Sequence, residues 1–286
     1  MSFPARKSTP AISTEDFAFL QRFIMQRAGI VLSDSKAYLA ETRLTAVIRK
    51  HKIPTLNALV QRLRDSPHGP LGGAVIDAFT TNETSFFRDR HPFDLLKQTL
   101  LPRLIKARAS RRRLRLWSAA SSTGQEAYSL AMILNCHFPA LIDWDVEILG
   151  TDISEEALET AREGRYRALH LNRGLSEELR QRYFIEDGRQ WRISERLRRL
   201  TRFEPLNLCK DRYPLQRFDV ILLRNVLIYF DNPTQQAVLS KLHACLAPDG
   251  ALFLGGAEAA LQPPADLYMP NINGRTIWHS PKLGGK

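Results

Sequence analysis

A chain of 286 residues with 44% apolar content can bury a full core, and its length suits one large domain joined to a smaller one. No apolar run approaches the roughly 18–20 residues of a membrane span, and three distant cysteines (Cys136, Cys209, Cys245) argue against a disulfide framework or a zinc knuckle and fit a reduced cytoplasmic setting. Forty-one Lys and Arg against 30 Asp and Glu leave a net charge of +11, which points either to an acidic partner or to a solvated basic surface.

Residues 1–13 read as a disordered tail, and Met-Ser-Phe-Pro-Ala-Arg-Lys at its start precedes no apolar core, so no signal peptide is expected. Ser13-Thr14-Glu15-Asp16 is a cap signal opening a helix over Phe17–Ala28, with Gly29 as its C-cap. A second helix is predicted from about Asp34 to Lys50, with Tyr38, Leu39, Leu44, Val47 and Ile48 inward and Arg43, Arg49 and Lys50 outward. A third, Thr55–Arg64, stops before a loop, Pro67-His68-Gly69-Pro70-Leu71-Gly72-Gly73. These elements make an N-terminal helical domain over residues 14–90.

Residues 91–286 form the larger domain. Strand Leu114–Ser118, helix Gln125–Cys136, strand Val146–Thr151 and helix Ser154–Glu163 alternate as βαβα, which argues a parallel sheet with right-handed crossovers. Between about 181 and 201 the alternation breaks. Tyr183-Phe184-Ile185, Gln190–Ile193 and Leu197–Leu200 read as short strands of a small β insertion. Phe218–Arg224 is the next sheet strand, followed by an Asn232 N-cap, a Pro233 N1 residue and helix Thr234–Leu246. A Pro248-Asp249-Gly250 turn leads into strand Ala251–Gly255, and strand Arg275–His279 closes the series.

Three segments carry chemistry. Asp219–Leu223 is apolar enough for a strand buried on both faces, yet it runs into Arg224-Asn225 and Tyr229, where ligands of open α/β sheets bind. Ser118–Glu126 sits at a strand-to-helix turn but holds one glycine, too few for a pyrophosphate nest. S-adenosylmethionine has no phosphate, and Glu126 would suit the ammonium of its amino-acid group; a plain βα turn is the alternative. Asp152 ends the second strand, where an acidic residue accepts ribose hydroxyls, or caps the next helix together with Ser154. Thr80–Arg88 runs polar, aromatic, then basic at the domain boundary: a cleft segment, or else a cap at Asn82 or Thr84 with Phe86 and Phe87 in the core.

Thr81–Arg88, Trp117–Ser129 and Arg224–Asp231 together resemble the signatures of the CheR-type chemoreceptor glutamate O-methyltransferases. Ala28–Leu32, Tyr183-Phe184, Asn207-Leu208 and Pro248–Gly250 are similar to that family in the same order, over roughly residues 14–280. The resemblance implies a Rossmann-like, mostly parallel α/β S-adenosylmethionine-dependent methyltransferase domain, an N-terminal all-α domain and a small antiparallel β insertion. It implies cofactor contacts from Asn82, Thr84, Arg88, Glu126, Asp152, Asn207, Leu208, Arg224 and Asn225, with Arg88 and Tyr229 nearest the transferred methyl. The product would be S-adenosylhomocysteine, and no metal is implied. Gly255-Gly256-Ala257-Glu258 stands where the family usually has Gly-His-Ser-Glu. The β insertion is a few residues shorter than in members that grip a receptor's C-terminal peptide, which argues against such a tether.

A receptor glutamate is already ionised at neutral pH, so binding residues are expected and an acid/base pair is not. The basic face of Arg43, Arg49 and Lys50 would dock an acidic helical receptor domain, on a cytoplasmic enzyme recruited to membrane receptor arrays and inserting no segment of its own. Nucleic acid is not the expected substrate: no polar-Pro-Pro-aromatic turn and no cysteine follows the fourth strand. A scaffold that binds the donor without transferring methyl is the remaining alternative.

Overall fold

A computed structural model of the chain describes residues 12–258 and the strand residues 271–272, 275–276 and 278–279. The tail over 1–11 lies outside the described residues. Two compact units divide between Thr81 and Asn82, ahead of the boundary near 90 expected from the sequence.

The first unit holds α1 (Thr14–Ala28), α2 (Ala37–Lys50), α3 (Leu56–Asp65) and α4 (Pro70–Phe79). The Ser13 side chain accepts from the Asp16 amide and Gly29 takes φ 72°, so α1 is capped at both ends as its sequence indicates. Leu20, Ile24, Leu44, Leu59 and Leu63 form the buried faces. Four expectations change here. Asp34–Lys36 is a 3-10 turn ahead of α2, and Tyr38 is 64% exposed rather than inward. Pro70–Gly73 is helix, not loop: Pro70 enters at the first turn, where its missing N–H costs nothing. Arg43 does not point outward. It is half-buried and donates to the carbonyls of Ala78, Phe79 (2.8 Å) and Thr80 and to Thr81 Oγ1, capping the C-terminus of α4.

The second unit begins with α5 (His91–Leu95), a π-helical turn (Leu96–Leu100) and α6 (Leu101–Arg108). There follow β1 (Arg113–Ala119), α7 (Gln125–His137), β2 (Asp145–Asp152), α8 (Glu155–Glu163), β3 (Arg165–Tyr166), α9 (Ala168–Leu171), α10 (Glu177–Tyr183), β4 (Phe184–Asp187), β5 (Gln190–Ile193), α11 (Glu195–Arg198) and β6 (Thr201–Pro205). The chain continues through β7 (Phe218–Leu223), α12 (Asn232–Cys245), β8 (Leu246–Leu254), β9 (Asn271–Ile272), β10 (Arg275–Thr276) and β11 (Trp278–His279). The main sheet runs β11-β8-β7-β1-β2-β6, parallel except for β11 on β8. Strands β1 and β7 are buried on both faces, which is why they read as continuous apolar runs. The chain leaves β1 toward β2 and β6 on one side and returns through β7 and β8 on the other. The switch in direction therefore falls between β1 and β7.

A separate antiparallel sheet, β3-β5-β4, spans residues 165–193. It starts earlier than the insertion expected at 181–201 and ends sooner. Leu197–Leu200 is no strand: Glu195–Arg198 is a helical turn, and Thr201 opens β6 of the main sheet. Two further details differ. Asp231, not Asn232, caps α12 by accepting from the Thr234 amide. Pro248-Asp249-Gly250 lies within β8 at a register shift, where a Gly250 side chain would meet the Phe218 carbonyl at 2.9 Å.

The segment from Arg103 to Arg115 carries seven basic residues, of which Arg108 and Arg115 are spent on the fold while Arg103, Lys106, Arg111, Arg112 and Arg113 stay exposed. Arg108 is buried and donates to Asp219 at 2.8 Å and to Asp249 at 2.6 Å. Arg115 is buried and pairs with Asp145 and Glu147, while Arg112 and Arg113 pair with Asp143 and Asp145. Removing Arg108 would leave the buried Asp219 with the Arg115 amide but without its guanidinium partner, and Arg108→Ala is expected to cost about 3–5 kcal/mol, read by chemical denaturation. The Arg108 hydrogen bond also holds the Asp249 carboxyl below the usual carboxylate range, a partly exposed pair. A depressed folded pKa contributes stability that is complete above about pH 4 and is lost as pH falls through the folded value. Asp249→Asn should therefore flatten the acid limb of the stability profile; an unchanged limb would assign acid loss elsewhere.

Candidate active site

The crevice between β1 and β7 is built by three loops. The first leaves β1 through Ala120 (φ 67°), Ser122 (φ 50°) and Gly124 (φ 90°). The sequence offers one glycine here, yet three residues take left-handed conformations. Hydrogen bonds hold the two non-glycine ones: the Ser121 amide donates to the Thr151 carbonyl (2.8 Å), and the Ser122 amide to Asp152 Oδ2 (2.8 Å). The Ser154 amide donates to Asp152 Oδ1 (2.9 Å), so Asp152 braces the ends of β1 and β2 together. Leu206 then donates to the Asp152 carbonyl, bringing Asn207 and Leu208 beside it. Asn207 Oδ1 accepts from the Cys209 amide, and Leu208 is buried.

Arg224, at the end of β7, is the centre of the site. Its side chain is 2% exposed. It donates to Glu126 Oε2 (2.9 Å), Asp89 Oδ2 (2.6 Å) and the Arg88 carbonyl (2.9 Å). Ser118 Oγ donates to the other Glu126 oxygen at 2.8 Å. A buried guanidinium needs such acceptors, because an unpaired buried charge would be expelled to water or would destabilise the fold.

The third wall is residues 82–90. Ser122 Oγ donates to the Asn82 carbonyl (3.0 Å), Asn82 Nδ2 to Ser154 Oγ (3.4 Å), and the Phe87 amide to Ser129 Oγ (2.9 Å). Arg88 donates to the Glu83 carbonyl within its own segment, and Thr84 is half-buried there. No helix starts at Asn82 or Thr84. Phe87, Asp89 and Arg90 all have positive φ, which winds this stretch into a knot of turns. Phe86 is fully buried, edge-on to Tyr166 and Phe184. Gly174 packs so tightly against it that a Cβ there would lie 1.9 Å from the Phe86 carbonyl oxygen.

These bonds form two groups: Asn82 with Asp152 through Ser122 and Ser154, and Glu126 with Arg224 and the Arg88 carbonyl, while the Arg88 side chain stays on Glu83; Asn207 and Leu208 follow Leu206, which is bonded to Asp152, and Asn225 follows Arg224. Tyr229 is half-buried in the 3-10 turn Leu227–Tyr229 that follows. Sequence reasoning singled out none of Ser118, Ser129 and Asp89, whose bonds complete the frame. A signal existed for Asp89, an acidic residue directly after Arg88, but nothing local marks its partner 135 positions away. The donor set suits a cationic amino-acid cofactor: carboxylates at Glu126 and Asp152, amides at Asn82 and Asn225, and no glycine nest for pyrophosphate.

Comparison with known proteins identifies the class. Residues 82–273 match the description "CheR methyltransferase, SAM binding domain", and residues 15–80 match "CheR methyltransferase, all-alpha domain". A chemotaxis protein methyltransferase of Pseudomonas aeruginosa is 42% identical over 270 residues, 93% of this chain and 97% of the relative. One of Vibrio cholerae is 41% identical, covering 87% of this chain and 90% of its own, and that of Escherichia coli is 37% identical over 87% and 85%. The chain belongs to the CheR methyltransferase family. It is an S-adenosylmethionine-dependent methyltransferase.

Gly174→Ala should displace the 82–90 wall. A destabilisation above about 1 kcal/mol is expected from the left-handed backbone alone, with faster hydrogen exchange at the Phe87 amide. Normal exchange there would show that Gly174 does not hold this wall.

Proposed function

We propose that this chain methylates glutamate side chains of bacterial chemoreceptors, producing glutamate methyl esters and S-adenosylhomocysteine. The observation that carries the reading is the buried Arg224–Glu126 pair at the β1–β7 switch, walled by residues 82–90. It is a binding frame built of carboxylates, amides and arginines. S-adenosylmethionine supplies a sulfonium methyl that is electrophilic without further activation. In this reading Glu126 and Arg224 hold the amino-acid end of the donor. Asp152, at the end of β2, takes the ribose. Asn82, Thr84, Asn207, Leu208 and Asn225 complete the donor contacts.

Arg88 and Tyr229 lie nearest the incoming carboxylate. Their part is orientation, since a glutamate carboxylate is ionised at pH 7 and needs no base. Positioning of this kind supplies up to roughly 7–11 kcal/mol of acceleration. A tight Arg88–carboxylate pair would stabilise the reactant as much as the transition state, so a modest contact serves better. Esterification removes one negative charge from a receptor helix and alters its packing.

Docking falls to the exposed Arg49 and Lys50 on α2, which complement an acidic helical receptor domain; Arg43, bound to four acceptors, supports the end of α4 beneath them. The paired strands β4 and β5 are four residues each, a short platform that speaks against a C-terminal peptide tether. The enzyme is placed in the cytoplasm, recruited to receptor arrays. Among the described residues no helix is long and apolar enough to cross a membrane.

Incubation with methyl-labelled S-adenosylmethionine and receptor-containing membranes should label membrane protein, with the label released by mild base as expected of carboxyl esters. Label on RNA, or donor binding with no transfer, would overturn the assignment. Asp152→Ala should weaken S-adenosylhomocysteine binding by about tenfold or more in calorimetry. Reversing Arg49 and Lys50 to Glu should raise KM for intact receptors, leave donor KM unchanged and flatten the salt dependence. Unaltered receptor kinetics would remove α2 from docking.

A further inference from the structure

Glu258 is fully buried, and the mechanism above has no use for it. A buried carboxylate calls for an explanation, because its desolvation must be offset by specific donors. Its donors are four backbone amides from the ends of two adjacent strands. Oε2 accepts from Gly255 (2.6 Å) and Asn225 (2.9 Å); Oε1 accepts from Val226 and Leu227 (2.8 Å each). The 3-10 turn Gly256–Glu258, closed by the Glu258 amide on the Gly255 carbonyl, folds the carboxylate back beneath β8 and against the exit of β7.

Two consequences follow from this geometry. Asn225 sits at φ 61°, a left-handed conformation that asparagine adopts more readily than most non-glycine residues and that hydrogen bonds from its surroundings can fix. Glu258 binds the amide of Asn225 and the next two, and so supplies that constraint. Second, Gly255 has no room for a side chain. A Cβ there would lie 2.7 Å from Glu258 Oε2, 2.9 Å from the Asn225 amide nitrogen and 3.0 Å from Asn225 Nδ2. Gly255, Glu258 and Asn225 therefore pack as one unit directly after Arg224.

We propose that Glu258 is a positioning residue for methyl-donor binding: its carboxylate fixes the left-handed turn at Asn225 and so presents the Arg224–Asn225 step to the donor. This rests on the donor reading given above. A glutamine cannot replace it, because an amide has one acceptor oxygen and would set its NH2 group against two N–H donors.

The test uses the full chain. Calorimetry with S-adenosylhomocysteine is run on wild type, Glu258→Gln and Gly255→Ala, the last disturbing the same unit from the opposite side. Both variants should bind about tenfold to a hundredfold more weakly, with donor KM raised more than kcat is lowered. Circular dichroism taken well below the melting temperature confirms that the compared protein is folded. Folded variants with wild-type affinity would overturn the proposal and reduce Glu258 to a purely structural role. Hydrogen exchange on the wild type keeps the test independent of variant folding. The amides of Asn225, Val226 and Leu227 should be protected without ligand and slower still with it; open-loop exchange rates in both states would equally overturn it. A wild-type chain that binds no S-adenosylhomocysteine would defeat the donor reading itself, whereas wild-type binding with unaffected variants defeats only the role of Glu258.

Discussion

A guanidinium enclosed at the C-terminal end of a parallel sheet must be surrounded by acceptors, and Arg224 draws them from two stretches of chain: Glu126 of α7, and Asp89 with the Arg88 carbonyl of the wall before α5. Ser118 of β1 completes the ring through Glu126. Each partner is held by the others, so the crevice is assembled by the folding of the protein itself. A preorganised frame of this kind loses little freedom on binding a ligand and fixes where that ligand's charged groups can rest. Methyl transfer to an ionised carboxylate asks for little more than this.

The positive charge of the chain has several destinations. Arg108 and Arg115 tie the starts of the sheet strands together, Arg43 closes a helix end, and Arg224 organises the crevice. Planar guanidinium groups with several donors suit these roles better than lysine would. Part of the net charge of +11 is thus framework rather than surface, although five of the seven basic residues between Arg103 and Arg115 remain exposed. On α2, Arg49 and Lys50 remain exposed while Arg43 does not.

Backbone conformation tells a similar story. Among described non-glycine residues eight take positive φ, and six of them, Phe87, Asp89, Arg90, Ala120, Ser122 and Asn225, lie in the loops of the crevice, the other two being Lys52 and Arg112. Local preference would place such angles at glycine. Hydrogen bonds from elsewhere hold several of these loops: Ser129 on Phe87, Asp152 on Ser122, and Glu258 on Asn225.

The order of elements was legible in the sequence because it rests on local periodicity. Apolar runs marked β1, β2 and β7, and cap residues such as Ser13 and Ser154 marked helix starts. Glu126, Asp152, Arg224 and Asn225 were legible as candidates because charged or polar groups at the ends of buried strands need a reason to be there. The errors arose where local signals were ambiguous: Pro70–Gly73 carries turn residues yet is helical, and Leu197–Leu200 is apolar yet is no strand. The partnerships of Asp89, Ser129 and Glu258 could not be read at all, since each depends on groups 33 to 135 residues away. Short-range sterics and hydrophobic period determined which elements form. Only the closed three-dimensional network decided which arginines became framework, which turned outward, and which loops could be forced into conformations their residues do not prefer.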